Sequence, residues 1–334
     1  MELCYLLVFP DPANGKTPSP ELIHGLKDAP YFQPVDIQLN TLEEGGTEIQ
    51  GKRISFLRQR YDGQAQVIEF HFEQADPFAA SALQERQQLE AALQEHFIPA
   101  TFRGQGLFEE YTILLVQKTR PAPDKWIDSH ARSLAKFLRS QREVFDKTEL
   151  DEILSSRVRY SKQDLTLVDW DGAVIIAPDG DFQSDILLLK VGNYQLLRYR
   201  MLDQSVETLL DQINESFFIN RKRPRPTRGA IRSIVEHRLE VMLDFERTEQ
   251  NLLLIGDWYT AKLYAAIRSE FYLEEWKDAI RGKLDNLESI TQTVKENFTL
   301  SVESLWGRIE MAGWAILLIG YIYLFLADLG LFGK

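Results

Sequence analysis

The chain has 334 residues, 44% hydrophobic and 26% charged, a globular composition with room for about two domains. Its net charge of −12 repels phosphate backbones and disfavours general nucleic-acid binding. The single cysteine, Cys4, excludes an intrachain disulfide framework and a cysteine metal cluster, and fits a reducing compartment.

The N-terminus lacks a basic segment, and Pro10 and Asp11 cut its apolar run short. It makes a poor signal peptide and a good buried strand. Pattern and length predict strands over residues 3–9, 53–57, 65–72 and 111–116. A helix is expected over 77–97, with Leu83, Leu89, Leu93 and Phe97 on one face. Residues 1–120 therefore read as a mixed α/β head. Within it, Gly46 to Lys52 has the spacing of a phosphate-binding loop, but Arg53 stands where Ser or Thr should hold Mg²⁺. A glycine-rich hairpin turn is the ordinary reading.

Pro121 and Pro123 open a connector over 121–181. It should hold a helix over 124–142 and strands over 165–170 and 173–177, joined at Asp171-Gly172. Asp181 is a candidate helix N-cap, and capping explains Asp179, Asp181 and Asp185 more economically than a cation site.

From 182 to 310 the chain reads as helical, an antiparallel, coiled-coil-like stalk. The first helix, to about 217, carries Tyr199, Leu202, Val206, Leu209, Ile213 and Phe217 as its stripe. The second, over 227–271, carries Ile231, Ile234, Val241, Phe245, Leu252 and Ile255. The third, from 273, carries Ile280, Leu284, Leu287, Val294, Phe298, Leu305 and Ile309. Polar residues among the seams (Asn193, Gln195, Arg198, Arg200, Glu246, Glu249 and Asp257) suit buried ion pairs that fix register, or a polar site between helices.

Residues 311–332 read as a single transmembrane helix of ~33 Å, against a bilayer core of ~30 Å. Trp314, Ile316, Leu317, Leu318, Tyr321, Tyr323 and Phe325 would be its anchors. The turn between the first two helices holds Arg221, Lys222, Arg223, Arg225 and Arg228. An antiparallel stalk would place these at the bilayer surface, facing anionic lipid. A solvated turn and nucleic-acid contact are the other readings. The positive-inside bias would put the body in the cytoplasm of a single-pass, C-terminally anchored membrane protein.

No metal spacing links His24, His71, His96, His130 and His237, and no catalytic motif or cofactor fingerprint is found. No cofactor and no catalytic or metal-ligating residue is expected. The sequon at Asn297 is discounted as mid-helix.

Three stretches carry a resemblance. They are Val168-Asp169-Trp170-Asp171-Gly172-Ala173 with Pro178-Asp179-Gly180, then Asn193 to Leu197 with Asp203, and residues 254–264 from Leu254 to Tyr264. Together these resemble a family of uncharacterised, C-terminally anchored bacterial membrane proteins. More distantly, the layout is similar to the required-for-meiotic-nuclear-division family, whose eukaryotic members are membrane-tethered. The first 120 residues show no such resemblance, and it supplies no catalytic residues. The expected function is a membrane-anchored scaffold, not an enzyme, that binds a protein partner through head and stalk, with homo-oligomerisation through its helices as a further expectation. The alternatives are a subunit of an oligomeric channel or transporter, and an enzyme with a site between head and stalk.

Overall fold

The computed structural model describes residues 1–12, 37, 39–214, 228–250 and 258–328. The chain divides into two compact units. One comprises Met1–Ser205 and Met242–Ile280; the other comprises Val206–Val241 and Arg281–Lys334.

The first unit is α+β, built on an eight-stranded sheet in the order β2-β3-β4-β1-β5-β8-β7-β6. Its strands are β1 Glu2–Pro10, β2 Leu39–Ile49, β3 Lys52–Tyr61, β4 Ala65–Glu73, β5 Glu109–Val116, β6 Arg157–Val158, β7 Leu165–Val168 and β8 Gly172–Ile176. All neighbours are antiparallel except β5 and β8. β1 lies between β4 and β5 and is buried from Leu3 to Pro10, which is why its sequence is a continuous apolar run rather than an alternation. Gly51 belongs to a two-residue hairpin loop: Gln50 and Gly51 have φ of 53° and 73°, as a tight primed turn requires. The phosphate-loop spacing at Gly46 is thus a β-hairpin.

Side chains alternate between the two faces of β1. Leu3, Tyr5, Leu7 and Phe9 join a core with Leu89 and Leu93 of α1 (Ala82–Phe97), Ile127 of α3 (Pro123–Ser129), Leu134 and Leu138 of α4 (Ala131–Leu138) and Ile153 of α5 (Lys147–Ile153). Val8, with Tyr61, Ala65 and Val67, packs instead on Val191, Tyr194 and Leu197 of α6 (Gln183–Asn214) and Tyr264 of α8 (Trp258–Glu270). Helices therefore cover both faces of the sheet.

The expected helix over 124–142 is two helices. They part at His130, whose φ of −109° leaves the helical range, and Ser129 Oγ and His130 Nδ1 both lie 2.8 Å from the Trp126 carbonyl oxygen. The helix expected from Pro77 begins at Ala82. A short helix α2 (Ala100–Gln105) ends on Gly106 at φ 63°, a left-handed cap. α5 starts with a capping box in which Glu149 N donates to Asp146 Oδ1 and Asp146 N to Glu149 Oε2, both at 2.9 Å. Asp146→Ala should lower stability by about 1 kcal/mol in urea unfolding, and an unchanged midpoint would show that the box contributes nothing.

In the second unit, Leu209 and Ile213 of α6 pack with Leu287 of α9 (Leu273–Asp328). Lys283 pairs with Glu207 at 2.9 Å, and Arg238 of α7 (Arg228–Gln250) with Glu288 at 3.6 Å. Thr291 interrupts the apolar seam, and its hydroxyl donates to the Leu287 carbonyl at 2.7 Å. The side chains of Val294, Phe298, Leu305 and Ile309 lie outside the described residues.

The expected transmembrane helix is corrected. Among the described residues no helix is long and apolar enough to cross a membrane. The charge-free stretch within α9, residues 311–327, is bounded by Glu310 and Asp328. The single-pass, C-terminally anchored membrane placement with a cytoplasmic body falls with it. Residues 221–227, and so Arg221, Lys222, Arg223 and Arg225, lie outside the described residues, while Arg228 opens α7.

Candidate functional site

α6 crosses the sheet with a row of buried polar side chains: Asp185, Lys190, Asn193, Gln195 and Arg198. Each reaches a defined partner. Lys190 Nζ lies 2.7 Å from Glu69 Oε2 and 3.2 Å from Gln59 Oε1. Glu69 Oε1 meets His71 Nε2 at 2.7 Å, and His71 Nδ1 meets Glu2 Oε1 at 2.8 Å. Cys4 stands opposite His71 in the β1–β4 register.

Burial by itself would raise the Glu69 carboxyl, but the His71 hydrogen bond and the Lys190 ammonium overcome it and hold it at about 2. Burial opposes charge on His71 too, yet Glu69 and Glu2 raise it above the ordinary histidine value. Burial, reinforced by the charge of Glu69, pushes the Cys4 thiol well up, so it is no nucleophile.

Cys4, Glu69 and His71 bring three potential ligand atoms within 4.8 Å of one another. Both oxygens of Glu69 are engaged, by His71 and Lys190, and the thiol is protonated. A cation there would have to displace both hydrogen bonds and ionise Cys4. As it stands, the cluster is an ionic lock between α6 and β4. Sequence reading missed it because its members are far apart in the chain. The available signal was Glu69 and His71 at strand spacing, alternating with the apolar Ile68, Phe70 and Phe72 of β4.

The other polar seam residues divide. Asn193 Nδ2 donates to the Leu189 carbonyl at 2.8 Å within α6. Gln195 accepts from Tyr264 of α8 at 2.5 Å and donates to Tyr199 at 2.9 Å. Arg198 pairs with Asp244 at 2.5 Å, and Arg200 with Glu109 at 2.5 Å. Glu246 is exposed, while Asp257 and the Glu249 side chain lie outside the described residues.

Two of the three resembling stretches meet where Gln195 of α6 contacts Tyr264 of α8. Asp169, in the β7–β8 turn, takes Arg139 at 2.7 Å, and its carbonyl accepts from Tyr111 at 2.8 Å. Burial lifts the Asp169 carboxyl to about 6 despite the Arg139 charge. Gly172 is required there, because a Cβ would lie 2.8 Å from the Thr112 carbonyl oxygen. Asp185 accepts from Thr166 and, at 2.9 Å, from Tyr259 of α8. Asp181 accepts from Gln183 N at 3.3 Å and Asp179 from Asp181 N at 3.1 Å, so both carboxylates turn the chain into α6.

Of the histidines, His130 stacks at 4.7 Å from the Trp126 ring, His96 is exposed, and His24 and the His237 side chain lie outside the described residues. The seam binds α6 and α8 to the sheet.

A different surface is open. Met311, Trp314, Ile316, Leu317, Leu318, Ile319 and Tyr321 of α9 are 61–71% exposed. Val235 and Leu239 on α7 are also exposed. The side chains of Tyr323 and Phe325 lie outside the described residues.

Comparison with known proteins places the chain beside uncharacterised relatives. Residues 31–183 match the model of a family described as the N-terminal domain of uncharacterized protein MJ0711. Uncharacterized protein MJ0711 of Methanocaldococcus jannaschii is 24% identical over 204 residues, which cover 59% of this chain and 61% of the relative. The chain therefore matches less than two thirds of that relative's length. No solved structure matches. The likeness to an uncharacterised family stands. Its match runs through β2 to the start of α6, including a head region where the motifs alone gave no resemblance.

Proposed function

We propose that this protein is a scaffold that assembles with further copies of itself through the exposed apolar end of α9, presenting its α/β unit to partners. The observation that carries this reading is the run of large apolar side chains at Met311, Trp314, Ile316–Ile319 and Tyr321, all more than 60% exposed. A helix that is apolar on every side is normally covered. Contiguous exposed apolar surface beyond a few hundred Å² marks an interaction site. Among the described residues no helix is long and apolar enough to cross a membrane, and a second helix of the same kind would bury this stretch. Val235 and Leu239 on α7, at 43% and 49% exposure, add apolar surface to the same unit.

The single native cysteine is buried, which makes a crosslinking test simple. A cysteine introduced at Ile316 should form an intermolecular disulfide under mild oxidation, giving a dimer on non-reducing gels. One introduced at the exposed Asp285, away from the apolar end, should not. Dimer from neither site, or equally from both, would count against assembly through this surface.

A further inference from the structure

A second surface, with no residue of α9 in its lining, points to a small-molecule site. Between the start of α1 and α4 lies a cleft of about 400 Å³. Arg86, Arg132, Lys136 and Arg142 line it, and no carboxylate does. In a chain of net charge −12 this is an unusual concentration of positive charge. Arg132, Lys136 and Arg142 take part in no ion pair among the described residues; Arg142 only donates to Gln84 at 3.2 Å.

Arg86 forms the buried base. It is 1% exposed, its guanidinium donates to Ser140 Oγ at 2.7 Å and the Phe137 carbonyl at 3.2 Å, and it sits 4.4 Å over the Phe137 ring. Glu90, 3.3 Å away, offsets one of the four charges. The first turn of α1 also lines the cleft, and Ser81 provides no side-chain cap, so the positive end of that helix adds to the field, offset in part by Glu85 in the same turn. Phe78 and Phe137 give the same cleft apolar walls.

We propose that this cleft binds a small pyrophosphate-bearing ligand, whose phosphates are held by Arg132, Lys136 and Arg142. Three unpaired cations around a helix start match a multiply charged anion better than a single carboxylate. The volume lies in the range of small-ligand pockets and is too small for a macromolecular surface. Two sources share this chemistry, a nucleoside diphosphate and inorganic pyrophosphate. Arg58, Arg60 and Arg157 of the same unit are instead paired with carboxylates, so its basic residues are not generally left open.

The test is calorimetric titration of the full chain with inorganic pyrophosphate and with ADP. Saturable one-to-one binding by the wild type is expected, weakening as salt rises. The triple variant Arg132→Gln, Lys136→Gln, Arg142→Gln should lose at least tenfold in affinity. These three side chains are partly or fully exposed, so the variant should fold, as its far-UV signal will verify. Tighter ADP binding identifies the nucleotide, and equal or tighter pyrophosphate binding the inorganic anion. Lys52→Gln with Arg53→Gln, on the β2–β3 hairpin and outside the lining of the cleft, removes two charges and should leave affinity unchanged. The proposal is overturned if millimolar ligand gives no saturable binding, if the triple variant binds as the wild type does, or if the hairpin variant loses as much.

Discussion

Lys190→Met is expected to cost roughly 3–5 kcal/mol of folding stability at pH 7, because it strands a buried carboxylate. The Lys190 and Glu69 side chains are 5% and 4% exposed and meet at 2.7 Å. Removing the ammonium leaves Glu69 with His71 alone. The effect has a defined pH dependence. Glu69 is held at about 2, below its ordinary 4.5, so its contribution is complete above about 4.5 and is lost as pH falls toward 2. His71 is raised, so its contribution is complete below its ordinary 6.5 and is lost as pH rises through its folded value. The variant's deficit in urea unfolding should therefore shrink as pH falls below about 4.5. Adding Glu69→Gln should recover much of it, since a neutral amide is cheaper to bury unpaired than a carboxylate. A variant with the wild-type midpoint at pH 7 would mean that the lock contributes nothing.

Gly192→Ala should have the next largest effect. In a helix interior Ala is favoured over Gly by about 1 kcal/mol, so propensity alone predicts a gain. The packing opposes it. A Cβ at 192 would sit inside van der Waals contact of Ile267 Cγ2 on α8 and 3.1 Å from Phe271. Ile267 is fully buried and β-branched, so it has little room to yield. Overpacking of this kind costs about 1–3 kcal/mol and should outweigh the propensity gain. Gly282 on α9 has nothing within 4 Å of its would-be Cβ, so Gly282→Ala should stabilise by up to about 1 kcal/mol. If thermal melts show both substitutions moving stability the same way, the close approach of α6 and α8 at Gly192 is not what decides it.

The sheet-central strands were legible because β1 and the inner part of β5 read as apolar runs and the second half of β4 alternates polar and apolar residues. β2 was not, because its residues from Thr41 onward are largely solvent-exposed and its sequence, Leu-Asn-Thr-Leu-Glu-Glu-Gly-Gly-Thr-Glu-Ile, has no apolar alternation. The break at His130 was hidden because Ser129 and His130 are ordinary helix residues until their side chains bond back to Trp126. The apolar run in α9 misled for a different reason. Hydropathy shows that residues need covering, but not by what, and here no helix among the described residues is long and apolar enough to cross a membrane. Gln195 and Arg198 were found as polar residues on an apolar stripe, while their partners Tyr264 and Asp244 lie 69 and 46 positions away and were not. The basic cleft was invisible because it joins Arg86 on α1 to Arg132, Lys136 and Arg142, at or just beyond α4.

Self-assembly through α9 is most directly tested by mass. In light scattering behind size separation, the wild type should exceed the 38.6 kDa of one chain by a whole-number factor and shift toward it on dilution. The variant Ile316→Glu with Ile319→Glu, at positions 70% and 66% exposed, should fold normally and run at the mass of one chain. A wild type that stays at one-chain mass at every concentration, or a variant that assembles as the wild type does, would contradict the account.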